Sequence, residues 1–274
     1  MLRQAFNCGA RYLTLTHVKT TDWADASDWD AYFTNQAIHG GLTPFGREVV
    51  REMNRLGMMV DLSHVSDGTA IDALKTSAAP VIFSHSCARA LCNHPRNVPD
   101  DILRLLKEND GIIMVNFYPM FVSEEVRIAF IPADLEWKRL SDLYPNDQKR
   151  AEKEYYAWFG RQTFPKATIS QLADHIDHIR KVAGIDHIGI GSDFEGTEDE
   201  PIGLEDVSGY PKLFIELLNR NYSSEDIVKI AGGNILRVMR SVEQVAKRLQ
   251  RQRPASEALI KELDGSMPTK QERK

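Results

Sequence analysis

Five short runs of Val, Ile, Leu and Met, each separated from the next by a segment of helical periodicity, constrain what this chain can fold into more than any other feature. They cover residues 12–16 (YLTLT), 58–62, 81–84, 112–117 (IIMVNF) and 187–191 (HIGIG). Each is apolar on both sides of the pleat, the pattern of strands buried on two faces. The spacing predicts helices over GREVVREMNRLG behind Pro44-Phe45 with Gly57 as the stop, over 67–77, over 100–109 after VPDD, and over 170–183, 210–219 and 224–250. Strand, helix, strand is the grammar of a parallel α/β sheet. A long insertion at about 124–166 carries charges and aromatics at helical spacing, so exposed helices with an aromatic underside are expected to cap one end of the sheet. The domain is expected to span residues 1–250, and the polar tail, 251–274, to fray.

If a helix follows every strand, all strand C-termini emerge at one face, where α/β enzymes keep their chemistry. The residues just past the five runs are Thr16-His17, Ser63-His64, Ser84-His85, Asn116-Phe117-Tyr118 and Ser192-Asp193. One histidine in such a place is ordinarily a satisfied, partly buried side chain. Three at the same topological position, with an aspartate, point to a divalent metal and to metal-assisted hydrolysis, because zinc lowers the pKa of bound water to about 7 and polarises a carbonyl.

A second group, His175 and His178 in ADHIDHIRK, shares a helix face. Leu172, Ile176 and Ile179 turn that helix toward the core and no third ligand stands nearby, so structural hydrogen bonding is the expected role. His39 and His94 fall in loops. Arg96, two residues past His94, carries the planar guanidinium that clamps a carboxylate, with a surface ion pair as its plain alternative. The loop TTDWADASDWD either walls a pocket or packs with acidic decoration.

Composition excludes several classes. The formal charge of −5 is spread through interleaved acids and bases, leaving no field for nucleic acid. Cys8, Cys87 and Cys92 form neither an even framework nor a CxxC pair, which favours a reduced compartment. The opening residues lack a signal-peptide pattern and no apolar run reaches the roughly 18 residues of a membrane span. A soluble, cytoplasmic protein without a membrane anchor is expected.

The blocks RYLTLTH, GLTPFGREVVREMNRLGMMVDLSHVS, PVIFSHS, RNVPDDILRLLKENDGIIMVNFY, ADHIDHIRKVAGIDHIGIGSDFEG and GLEDVSGYPKLFIELLNR, running from about Arg3 to Gln250, closely resemble the membrane (renal) dipeptidase family. The resemblance implies a (β/α)8 TIM-barrel fold of the amidohydrolase-like type and a binuclear zinc site that hydrolyses dipeptides. On matching positions it implies that His64 and His85 ligate one zinc, that His17 contacts the substrate and steadies the tetrahedral intermediate, that Arg96 binds substrate, and that Asp193 transfers a proton and binds substrate.

Two departures accompany it. The family opens on a strand with a His-x-Asp pair for the other zinc and places a metal-bridging glutamate on its third strand; neither has a counterpart here. The expectation is therefore an N-terminally truncated, incomplete barrel with the last five β/α units. At most one of its two zinc sites would be partly retained, and its two sheet edges and apolar lining would be exposed to water. Cys92 resembles a disulfide-bonded cysteine of secreted relatives, yet no cysteine stands near Glu124, where its partner would be. The partner expected is a dipeptide, with room for a homodimer. Two alternatives stay open: a non-catalytic remnant or interaction module, and a mononuclear amidohydrolase that borrows Asp193 as a ligand.

Overall fold

Local signals fix the helix ends. Helix α1 (Leu2–Asn7) leads into β1 (Tyr12–Thr14). Helix α2 (Pro44–Leu56) starts where the Thr43 hydroxyl accepts a hydrogen bond from the Gly46 N–H and Pro44 supplies a pre-set φ, and it stops at Gly57, whose φ of 89° is left-handed. Next come β2 (Met59–Asp61), α3 (Asp67–Thr76) capped by Ser66, β3 (Ile82–Phe83), α4 (Asp100–Glu108) and β4 (Ile112–Val115). The insertion forms α5 (Pro119–Val122), α6 (Glu124–Leu143) and α7 (Gln148–Phe159), and α8 (Ile169–Val182) follows behind a Thr168/Gln171 capping box. After β5 (Ile188–Ile190) the chain adds α9 (Tyr210–Asn219), α10 (Ser224–Val228), one π-turn at Lys229–Gly233, α11 (Asn234–Gln252) and α12 (Ile260–Leu263). This computed structural model describes residues 1–28, 37–197 and 199–265.

The five strands pair in chain order, β1-β2-β3-β4-β5, and every pairing is parallel. That is the strand succession of a (β/α)8 barrel, with five strands among the described residues where a closed barrel has eight. One face packs Val60, Leu62, Phe83, Ile113, Val115 and Ile188 against α2, α3, α4 and α8. His175 belongs to this layer. Its Nδ1 accepts from the Ala88 N–H and its Nε2 donates to the Val122 carbonyl, while His178 bonds Asp100, so the histidine pair of α8 is structural.

The expectation of an exposed lining does not hold. The other face presents Met59, Ile82, Ile112 and Met114, and these pack against Ile235, Val238, Met239, Val242 and Val245 of α11. The stripe at i, i+3, i+4, i+7 and i+10 gives α11 an apolar side just wide enough to cover strand starts. Edge exposure holds at β1, where Tyr12 is 52 % and Leu13 37 % exposed. At β5 the Asn234 side-chain amide donates to the carbonyls of Ile185 and Ile188, so the start of that edge is covered. Val242→Ala is expected to cost about 2 kcal/mol, the worth of a buried valine side chain, read as a lower urea midpoint at unchanged slope.

Of the expected tail, residues 253–264 lie along α2, and residues 266–274 fall outside the described residues. Arg253 pairs with Glu48, the Ser256 N–H bonds Glu52, and Asp264 accepts from the Phe45 N–H at the open end of α2. All three cysteines are free thiols; Cys87 and Cys92 are buried, and Glu124 accepts from the Asn93 N–H beside Cys92. No described helix is long and apolar enough to cross a membrane.

Candidate active site

A carboxylate sits beneath the histidines. Asp61, the last residue of β2, is wholly buried and faces the interior of the curved sheet. It accepts hydrogen bonds from Thr14 Oγ1 at 2.6 Å, Ser84 Oγ at 2.6 Å, Ser84 N at 2.9 Å and Ser63 N at 3.1 Å, tying the ends of β1, β2 and β3 together. Ser84 spends its proton on Asp61, so its oxygen is the acceptor for His85 Nδ1 at 2.7 Å. The proton of His85 therefore lies on Nδ1, and Nε2 keeps the lone pair that a metal would take.

His64 Nε2 lies 2.8 Å from that His85 Nε2. His64 holds a φ of 69°, left-handed backbone that costs a side-chain-bearing residue of order 1–3 kcal/mol. Its carbonyl is fixed by the Ser27 N–H at 2.8 Å and by Thr16 Oγ1 at 3.0 Å. Burial, and then the charge of Arg96, push the His64 pKa down to about 2 and hold His85 below the usual imidazole range. Both rings are thus neutral at physiological pH, the form in which imidazole binds metals. The ring of His17 stacks on His64 with centroids 4.2 Å apart and stands at the solvent side.

Asp193 has the same left-handed backbone, φ 66°, just past β5. Gly191 lets it come close: a Cβ there would fall 1.9 Å from the Ser84 carbonyl oxygen. Asn116, buried past β4, donates from Nδ2 to Asp193 Oδ2 at 3.2 Å, and that oxygen is 4.0 Å from His85 Nε2. Arg96 is buried, with its guanidinium over the Phe121 ring at 5.3 Å and a long hydrogen bond of 3.5 Å to the His85 carbonyl. Its Nε has no hydrogen-bond partner among the described residues, and burial lowers its pKa to about 10, still charged.

The five residues singled out by strand position and resemblance, His17, His64, His85, Arg96 and Asp193, thus gather at the C-terminal end of the sheet. Sequence reasoning missed Asp61, whose signal was one acid inside the apolar run MMVDL, and the part played by Asn116. In the acidic loop, Asp25 is buried and accepts from the Ile38, His39 and Gly41 N–H groups; Trp29 and Asp30 of that loop lie outside the described residues. Among the described residues no three His, Cys, Asp or Glu side chains are grouped to hold a metal ion. A catalytic zinc takes three protein ligands and a water. His64 and His85 suit the ion in donor type and charge, and His85 also in tautomer, whereas His64 Nε2 carries the proton it donates to His85 Nε2 in the absence of an ion; two donors do not by themselves fit a catalytic centre.

The carboxyl end of this parallel α/β sheet thus carries paired imidazoles, an aspartate and a buried guanidinium. The family model described as membrane dipeptidase (Peptidase family M19) matches residues 1–253, and the chain belongs to that family. It is 42 % identical over 246 residues to dipeptidase tcpJ of Claviceps purpurea, covering 90 % of this chain and 48 % of that protein. With dipeptidase aclJ of Aspergillus oryzae it shares 40 % over 249 residues, covering 91 % and 49 %. The chain spans about half the length of the curated relatives it matches. Among solved structures, the probable dipeptidase PvdM from Pseudomonas aeruginosa superposes with a TM-score of 0.77 at 31 % identity, over 89 % of this chain and 66 % of that one. A metallo peptidase from Rhodobacter sphaeroides, liganded with a phosphinate mimic of L-Ala-D-Ala, gives 0.67 at 26 %, over 88 % and 58 %.

Proposed function

We propose that this chain carries the imidazole and substrate-anchoring part of a zinc-dependent dipeptidase site. The observation that carries the reading is Arg96. A guanidinium buried with its Nε unbonded, in a cavity it shares with His64 and Asp193, is a charge awaiting an anion, because burying an unpaired charge is costly. The carboxylate of a dipeptide supplies that anion in the bidentate geometry guanidinium favours.

With the carboxylate on Arg96, the scissile carbonyl falls to the histidine end of the cavity. His17 donates to the oxygen that becomes negative in the tetrahedral intermediate. Asp193, aimed by Asn116, takes the proton of the attacking water and passes it to the leaving amine. Were further ligands supplied, a zinc ion held there would contribute Lewis-acid polarisation of the carbonyl and a lowered pKa of bound water. His64 and His85 are the two ligands offered here, and full activity requires further ligands of the carboxylate kind.

Calorimetric titration with glycylglycine tests the reading. Wild-type chain is expected to bind it, and Arg96→Met, with an unchanged circular dichroism spectrum, to bind at least about tenfold more weakly, the scale of a lost charge-assisted hydrogen bond. Equal affinity in the two proteins would remove the basis of the proposal. The two-ligand count favours a second reading, a chain that binds dipeptides without turning them over, and a ninhydrin assay for released glycine separates the two. The mononuclear alternative needs Asp193 as a ligand beside His64 and His85, and loss of bound zinc in Asp193→Asn would favour it.

A further inference from the structure

The cavity that holds Arg96 and Asp193 is about 550 Å³, and its far wall comes from the insertion. Phe130 of α6, Phe159 at the end of α7 and Phe164 just beyond it form a three-ring cluster, with centroids 4.3 Å apart for Phe130–Phe164, 4.9 Å for Phe159–Phe164 and 6.0 Å for Phe130–Phe159. All three rings are only half-buried. Tyr118 and Phe121 continue the wall toward the guanidinium of Arg96. At the rim, Lys166 Nζ pairs with Asp199 Oδ1 at 3.3 Å, joining the end of the insertion to the loop that carries Asp193.

Three phenylalanines that touch one another yet keep a face open to a cavity are an apolar surface still to be covered. Aromatic side chains bury large areas, and a pocket of a few hundred Å³ that is mostly apolar with a few convergent polar groups is the usual form of a small-molecule site. The polar groups at the other end fix what enters: an anion on Arg96, with the rest of the molecule extending along the wall. Its volume exceeds what a backbone-only ligand such as glycylglycine fills.

We propose that Phe130, Phe159 and Phe164 form a side-chain pocket that selects dipeptides with a large apolar or aromatic side chain. The proposal rests on the dipeptidase reading and adds the substrate preference. The insertion is then a specificity element: Arg96 holds the dipeptide by its carboxylate, and the α6–α7 pair reads its side chain. Each methylene or ring withdrawn from water against the three rings adds affinity that a glycine cannot.

The test compares glycyl-L-phenylalanine, L-phenylalanylglycine and glycylglycine by calorimetry on the 274-residue chain and on Phe159→Ala and Phe164→Ala. At least one phenylalanine dipeptide is expected to bind wild type about tenfold more tightly than glycylglycine, ~1.4 kcal/mol. Each variant is expected to cut that ratio to threefold or less while leaving glycylglycine affinity unchanged, which separates a side-chain pocket from general loss of structure. Equal affinity for all three dipeptides in wild type would overturn the pocket and leave the dipeptidase reading standing. So would a preference that survives both substitutions. Failure of every dipeptide to bind would overturn the dipeptidase reading and this proposal with it.

Discussion

Asp61→Ala is expected to destabilise the chain by about 3–5 kcal/mol, a larger loss than any single change on the surface. Four donors from three strand ends converge on this carboxylate, and alanine would leave the Thr14 and Ser84 hydroxyls and two backbone N–H groups without it. Hydrogen bonds to a charged group are each worth about 1.5–3 kcal/mol, and donors left bare in a dry interior add their own desolvation cost. Asp61→Asn keeps the shape but turns an amide N–H₂ toward donors, so most of the loss should persist. Urea unfolding measures both. A loss under about 1 kcal/mol for Asp61→Ala would mean that water satisfies these groups and that Asp61 does not organise the strand ends.

Removal of either imidazole is expected to reduce zinc affinity by more than about 100-fold. Changes in the groups that merely orient a ligand already cost 10–100-fold, and His64→Ala or His85→Ala deletes a donor outright. The two imidazoles meet through a 2.8 Å Nε2–Nε2 hydrogen bond and would have to bind an ion together, so the double variant should be scarcely worse than either single one. The His17→Ala chain is the control, since His17 stacks on His64 at the solvent side and should leave zinc affinity nearly intact. Competition with a chromophoric chelator gives the constants. Additive losses, or an effect of His17→Ala equal to the others, would place the ion elsewhere.

How much of this was legible in the sequence follows from what each signal encodes. Helix limits are local chemistry, and Thr43-Pro44, Gly57 and the Thr168/Gln171 box fixed theirs within a residue or so; α9 spans the residues the spacing predicted. The apolar runs overshot the strands, because their last residues leave the ladder to carry the site, as Ser84 and Asn116 do. The gathering of His17, His64, His85 and Asp193 follows from one rule, that parallel strands end on one face. Long-range partnership is not local. The stripe on α11 says that something is covered, not that it is the lining under Met59, Ile82 and Ile112. Likewise Asp264 looks like part of a polar tail, and only the fold brings it to the Phe45 N–H. Nor can spacing show that Phe130, Phe159 and Phe164 share a cavity with Arg96, because the turn between α6 and α7 decides it.

On the proposed reading, His64 and His85 are two protein ligands offered to a centre that needs more. Zinc content and dipeptide turnover of the purified 274-residue chain, measured on one preparation, test it most directly. Fewer than two zinc ions per chain, loss of the bound zinc in His85→Ala, and poor cleavage of dipeptides are expected. Two tightly bound zinc ions with vigorous turnover would contradict it.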